Sequence, residues 1–134
     1  MIWNTAALSP DGKAVFYTVV EIIGDRSGPG DLKVLRLVKR RLDTGEETEL
    51  YRTESVGFGL FGLTVSSDGS RLAFQLNLAG RKRALMIMPA DGGTAREIYR
   101  LGWDGLSHNG AMSWTPDGRH LRRWRLPAPH APGR

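Results

Sequence analysis

An all-β fold of short antiparallel strands is predicted by three features of this sequence. A turn motif occurs three times, apolar β-formers flank its copies, and no convincing 3.6-residue apolar period is present. The copies align without gaps: Ala7-Leu8-Ser9-Pro10-Asp11-Gly12-Lys13, Thr64-Val65-Ser66-Ser67-Asp68-Gly69-Ser70 and Ser113-Trp114-Thr115-Pro116-Asp117-Gly118-Arg119. Each motif carries its own folding instruction. Proline presets φ, Asp accepts local backbone hydrogen bonds, and Gly supplies a left-handed conformation, which together predict a three-residue hairpin with a bulge.

The strands follow in order from these turns. In the first unit Ala14–Val20 reads as the second strand and Leu32–Lys39 as the third. Asp43-Thr44-Gly45-Glu46 turns the chain into an edge strand at Thr48–Tyr51. The second unit repeats the plan with Leu72–Leu78, Ala84–Met88, a turn at Asp91-Gly92-Gly93, and Ala95–Tyr99. Met86 and Met88 alternate with Ile87, a strand-like spacing that points to packing. Trp114, on an innermost strand, is expected in the core. The three Asp residues recur at intervals of 57 and 49 residues (11 to 68, 68 to 117), a period that suits propeller blades of about 40–50 residues with insertions. The expected division is a first blade over 1–55, a second over 56–102, the start of a third over 103–124, and a disordered or non-native tail over 125–134.

Ser9-Pro10-Asp11-Gly12-Lys13, Ser67-Asp68-Gly69 followed by Leu72-Ala73-Phe74, Leu85-Met86-Ile87-Met88 and Asp91-Gly92-Gly93 resemble the WD-repeat-like β-propeller repeat of TolB-type proteins. The resemblance covers most of Asn4 to Leu121. It implies antiparallel four-stranded blades and a protein- or peptide-binding scaffold, a sensor domain of a larger signalling protein, or the accessory propeller of a prolyl-oligopeptidase-type peptidase. Fold alone does not choose among these.

Propellers close with four to eight blades. At about 45 residues each, four blades exceed 134 residues. The expected state is therefore an incomplete, open propeller whose end faces invite self-association. The third unit breaks pattern: Arg122 and Arg123 stand where Phe16 and Tyr17, or Ala73 and Phe74, stand in the earlier copies. Pro127, Pro129 and Pro132 preclude a regular strand beyond. The sequence thus suggests that the chain leaves its repeat near His120.

Charge argues against a nucleic-acid partner. All 14 acidic residues precede position 118, whereas Arg119, Arg122, Arg123, Arg125 and Arg134, five of the 19 basic ones, follow it. The body is balanced and offers no duplex footprint. No apolar run reaches the roughly 20 residues of a membrane span. Met1–Leu8 has no basic leader, so no signal peptide is expected in the chain as given; a periplasmic parent stays open. Cysteine is absent, excluding disulfides and thiolate metal sites.

Catalytic motifs are missing too. There is no Gly-x-Ser-x-Gly elbow, no His-Glu-x-x-His and no Walker-type loop. Gly24–Gly30 lacks the strand-to-helix setting that would aim amides at a phosphate. No enzyme activity, cofactor or metal is expected. The long connections Gly24–Asp31, Ala79–Arg83, Arg52–Gly59 and Leu101–Gly110 should share one end of the blades, opposite the tight turns. Binding residues concentrate on such loops, so Arg26, Asp31, Phe58, Arg81, Lys82, Trp103, Asp104 and His108 are the candidate partner-contacting residues.

Overall fold

A computed structural model describes residues 6–23, 32–55, 60–78, 82–102 and 112–123. Ten strands occur among them: β1 (Ala6–Leu8), β2 (Ala14–Ile23), β3 (Leu32–Arg41), β4 (Glu47–Ser55), β5 (Leu60–Val65), β6 (Arg71–Leu78), β7 (Lys82–Pro89), β8 (Arg96–Gly102), β9 (Met112–Trp114) and β10 (Leu121–Arg123). They form two four-stranded antiparallel meanders, β1-β2-β3-β4 and β5-β6-β7-β8, and the hairpin β9-β10. The described residues contain no helix. The fold is all-β, in four-stranded antiparallel sheets.

The three turns are built alike, atom for atom. Ser9 N–H donates to Ala14 O and Gly12 N–H to Ser9 O; Ser66, Gly69 and Arg71, then Thr115, Gly118 and His120, repeat both bonds. A hydroxyl at the first position donates to the Asp carboxylate (Ser9 to Asp11, Ser66 to Asp68, Thr115 to Asp117). The same hydroxyl oxygen accepts the amide five residues on, at 3.0, 3.0 and 3.1 Å. Gly12, Gly69 and Gly118 hold φ of +73°, +76° and +71°, conformations L side chains rarely adopt. The sequence suggested three-residue loops. The observed loops hold four residues, closed by the Gly N–H to Ser or Thr carbonyl bond and by the Ser or Thr hydroxyl, which accepts the amide five residues on.

Strands also run longer than expected. β2 continues to Ile23 and β4 to Ser55, since backbone pairing persists after the apolar pattern fades. In the third unit Leu121, Arg122 and Arg123 pair with Trp114, Ser113 and Met112, so the hairpin continues through both arginines. Residues 124–134 lie outside the described set.

The sheets stack in chain order. Phe16, Leu37 and Leu50 of the first sheet share one buried cluster with Leu60, Leu72, Phe74 and Met88 of the second. The Tyr51 and Phe74 rings meet across this interface, centroids 5.4 Å apart. Met86 packs against the same cluster, as the strand-like spacing predicted. On the far side of the second sheet, Ala73 and Leu85 pack with Met112, Trp114 and Leu121 of the hairpin. Trp114 is half-buried there; its indole N–H reaches Thr64 O at 3.4 Å, and the Arg71 guanidinium lies 4.9 Å over its ring. The expected core position is met only in part: Trp114 packs against the buried cluster of Ala73, Leu85 and Met112 from its edge.

The first sheet's other face is different. Register puts Tyr17, Glu21, Val34, Arg36, Val38, Arg40, Glu47, Glu49 and Arg52 on it. Arg36 bonds Glu49 at 2.7 Å and Glu21 at 3.1 Å, Arg52 bonds Glu49 at 3.1 Å, and Tyr17 donates to Glu47 at 2.7 Å. Val34 and Val38 are buried on this same face. The sequence led us to expect an apolar face at each end of the stack. This one carries a lattice of charges, because the Arg and Glu stems cover the valines while their heads stay in water.

Candidate functional site

Where the two sheets meet, their tight-turn ends enclose a cleft of about 380 Å³. Pro10, Asp11 and Lys13 come from the first turn, Asp68 and Gly69 from its repeat, Lys39 and Arg41 from the end of β3, and Asp91 from the β7–β8 turn. Phe16 lies among the lining residues, with the Lys39 ammonium 5.9 Å from its ring centre. Lys39 also bonds Asp91 at 3.0 Å, tying the first sheet to the second. Arg41 is held by both oxygens of Asp43 at 3.2 and 2.9 Å.

The carboxylates here are committed. The Ser9 hydroxyl and the Lys13 amide hold the Asp11 carboxyl below its usual range. The Ser66 hydroxyl, then the Ser70 amide and hydroxyl, bring Asp68 down to about 2. Asp117 is lowered in the same way by Thr115 and Arg119. Groups so depressed stay ionised at neutral pH and are poor proton donors or acceptors. Among the described residues, no group of three or more His, Cys, Asp or Glu could hold a metal ion. The cleft's lining balances Lys13, Lys39 and Arg41 against Asp11, Asp68 and Asp91 over one aromatic ring.

Of the residues singled out from sequence, Arg26, Asp31, Phe58, Arg81, Trp103, Asp104 and His108 lie outside the described residues. Lys82 is described. It starts β7, is exposed, and pairs with Leu78 and Gly102 at the end of the second sheet away from the cleft. Sequence reasoning overlooked the cleft because it weighed long loops over tight turns. The available signal was charge at strand ends: Lys13, Lys39, Arg41 and Asp91 each sit in a turn or within three residues of one.

No family model matches the chain, and no significantly similar curated protein was found. Among solved structures, a candidate 6-phosphogluconolactonase from Bacteroides uniformis aligns with 89% of this chain and 46% of its own, at 15% identity and a TM-score of 0.46. The chain spans less than half the length of that structure.

Proposed function

We propose that this chain is a segment of an open β-propeller that binds a protein or peptide and carries out no chemistry itself. The observation that carries the reading is the threefold turn. Three hairpins with the same hydrogen bonds begin three successive units, and those units pack face to face in chain order. Radial blades need this relation, each sheet covering the next. A rigid stack of this kind holds loops and turns at its two ends, where partners are usually bound. One end is the cleft between the sheets; the other carries Lys82.

The test uses a partner first identified by crosslinking and then purified. Charge reversal at Arg81 and Lys82, Trp103→Ala, and charge reversal at Lys13 and Lys39 are compared by titration calorimetry. Weakening of at least about tenfold by either group assigns the binding end. Unchanged affinity in all of them refutes end-face binding. Turnover of peptide or ester substrates by the pure chain would overturn the non-catalytic part.

A further inference from the structure

The two meanders repeat in detail, and the repeat exposes a gap. Leu37 pairs with Tyr51 and Leu85 with Tyr99, and each pairing is followed by a register shift at the same place. Glu49-Leu50-Tyr51-Arg52 therefore corresponds to Glu97-Ile98-Tyr99-Arg100. In the first sheet Leu50 is 9% exposed and the Tyr51 ring meets that of Phe74 at a tilt, because the second sheet covers them. In the second sheet Ile98 and Tyr99 are 43% and 56% exposed. The side chains are similar and the cover differs.

The reason lies in the third unit. Its two described strands cover Ala73 of β6 and Leu85 of β7 on the second sheet's far face. Beside them on β8, Ile98 and Tyr99 have no such cover among the described residues. Arg123 holds the repeat position of Phe74, the ring that meets Tyr51. β10 pairs only with β9 among the described strands, so its other edge offers backbone donors and acceptors.

Charge defines what would fit. The cleft between the first two sheets receives Asp91 from the next unit's third-to-fourth strand turn. A second cleft, of about 390 Å³, lies at the corresponding corner of the second sheet. Arg71, Ile87, Pro89 and Arg96 line it with no carboxylate.

We infer that this surface takes up a β-hairpin from another polypeptide, one strand adding to the free edge of β10 and the turn bringing an acidic residue to Arg71 and Arg96. The hairpin is apolar toward Ile98 and Tyr99. It rests on the propeller reading above, which sets where the third and fourth strands belong. Edge addition supplies affinity through main-chain hydrogen bonds and specificity through alternate side chains. A second copy stacked through the first sheet's outer face fits poorly, since its Arg36, Arg40, Glu47 and Glu49 lattice would have to be desolvated.

The chain contains a model of the proposed guest. Residues 82–100 form β7, an Asp91 turn and most of β8, and Ala84, Met88 and Ala90 already cover the first sheet. A fluorescein-labelled peptide of this sequence is titrated into the full chain by anisotropy. Binding should weaken at least about tenfold when the β7-half amides facing the acceptor strand are N-methylated, since several main-chain bonds are lost. Asp91→Lys in the peptide, and Arg96→Glu or Ile98→Ser in the chain, should each weaken it several-fold. Absent binding, or binding indifferent to N-methylation, overturns the proposal. A concentration-dependent dimer protecting the β10 amides without peptide also overturns it, in favour of a second copy. Hydrogen exchange on the free chain separates the two readings. Slow exchange in β2, β3, β6 and β7 with no peptide binding sinks the hairpin alone, whereas fast exchange there sinks the stacked sheets themselves.

Discussion

Removing Phe74 tests whether the sheets stack. Its side chain is 0% exposed and sits in the cluster shared by both sheets, with the Tyr51 ring 5.4 Å away. Truncation to alanine deletes a buried ring and leaves a hole between two backbones that cannot fully collapse, a loss of about 3–5 kcal/mol. At about 3 °C per kcal/mol for a chain of this size, the melting temperature should drop by about 10–15 °C. The double-mutant cycle with Tyr51→Ala is the sharper assay. Urea unfolding of the four proteins should find the double variant less destabilised than the two single losses combined by about 0.5–1.5 kcal/mol, the usual worth of an aromatic pair. Strict additivity would mean that the rings do not meet. The sheets would then not pack as described, and the account of the core would fail with them.

Other expectations follow from the turns and the repeat. Gly12→Ala and Gly69→Ala should each cost about 1–2 kcal/mol by thermal melts, from left-handed φ alone. Gly62→Ala should cost more, because a Cβ there meets Gln75 Nε2 at 2.9 Å as well as a φ of +66°. Asp11, Asp68 and Asp117 have carboxyls depressed in the folded state, so their stabilisation is complete above the ordinary value of 3.8 and is lost as pH falls through the folded pKa, about 2 for Asp68. Urea midpoints measured between those limits should therefore fall less in the triple Asn variant than in the parent. Tyr99→Ala should change stability by no more than about 0.5 kcal/mol, in contrast to its repeat partner Tyr51.

The turns were legible in the sequence because they are local. Ser-Pro-Asp-Gly and its variants specify their own hydrogen bonds within six residues, and three copies in register announced three units. The lengths of β2 and β4 were not legible, since backbone pairing carries both strands past their apolar runs to Ile23 and Ser55. Arg122 and Arg123 looked like a break because side-chain pattern was the only guide. Pairing with β9 keeps them in a strand, and Arg122 can point away from the sheet beneath. The cleft was hidden for another reason. Lys39 and Asp91 are 52 residues apart and meet only because one sheet lies on the next. No local pattern encodes that meeting.

The charged face of the first sheet bears on how the molecule can grow. Glu49 is held below the usual carboxylate range by Arg52 and Arg36, so it stays ionised at neutral pH between the two guanidinium groups. Its heads keep their water: Arg36 and Glu49 side chains are 29% and 35% exposed. Covering them with an apolar sheet would remove that hydration, and ion pairs seldom recover the full loss. The far side of the second sheet presents the opposite case. There the exposed groups are Ile98 and Tyr99, and covering them releases water from apolar surface. On the propeller reading proposed above, growth of the stack should therefore be directional, favoured beyond β10 and opposed beyond the outer face of the first sheet. Replacing Arg36, Glu49 and Arg52 together with Leu, Val and Leu should erase that direction. By light scattering such a variant should form larger species than the parent, and a variant that stays as monodisperse as the parent would show that the lattice does not govern association.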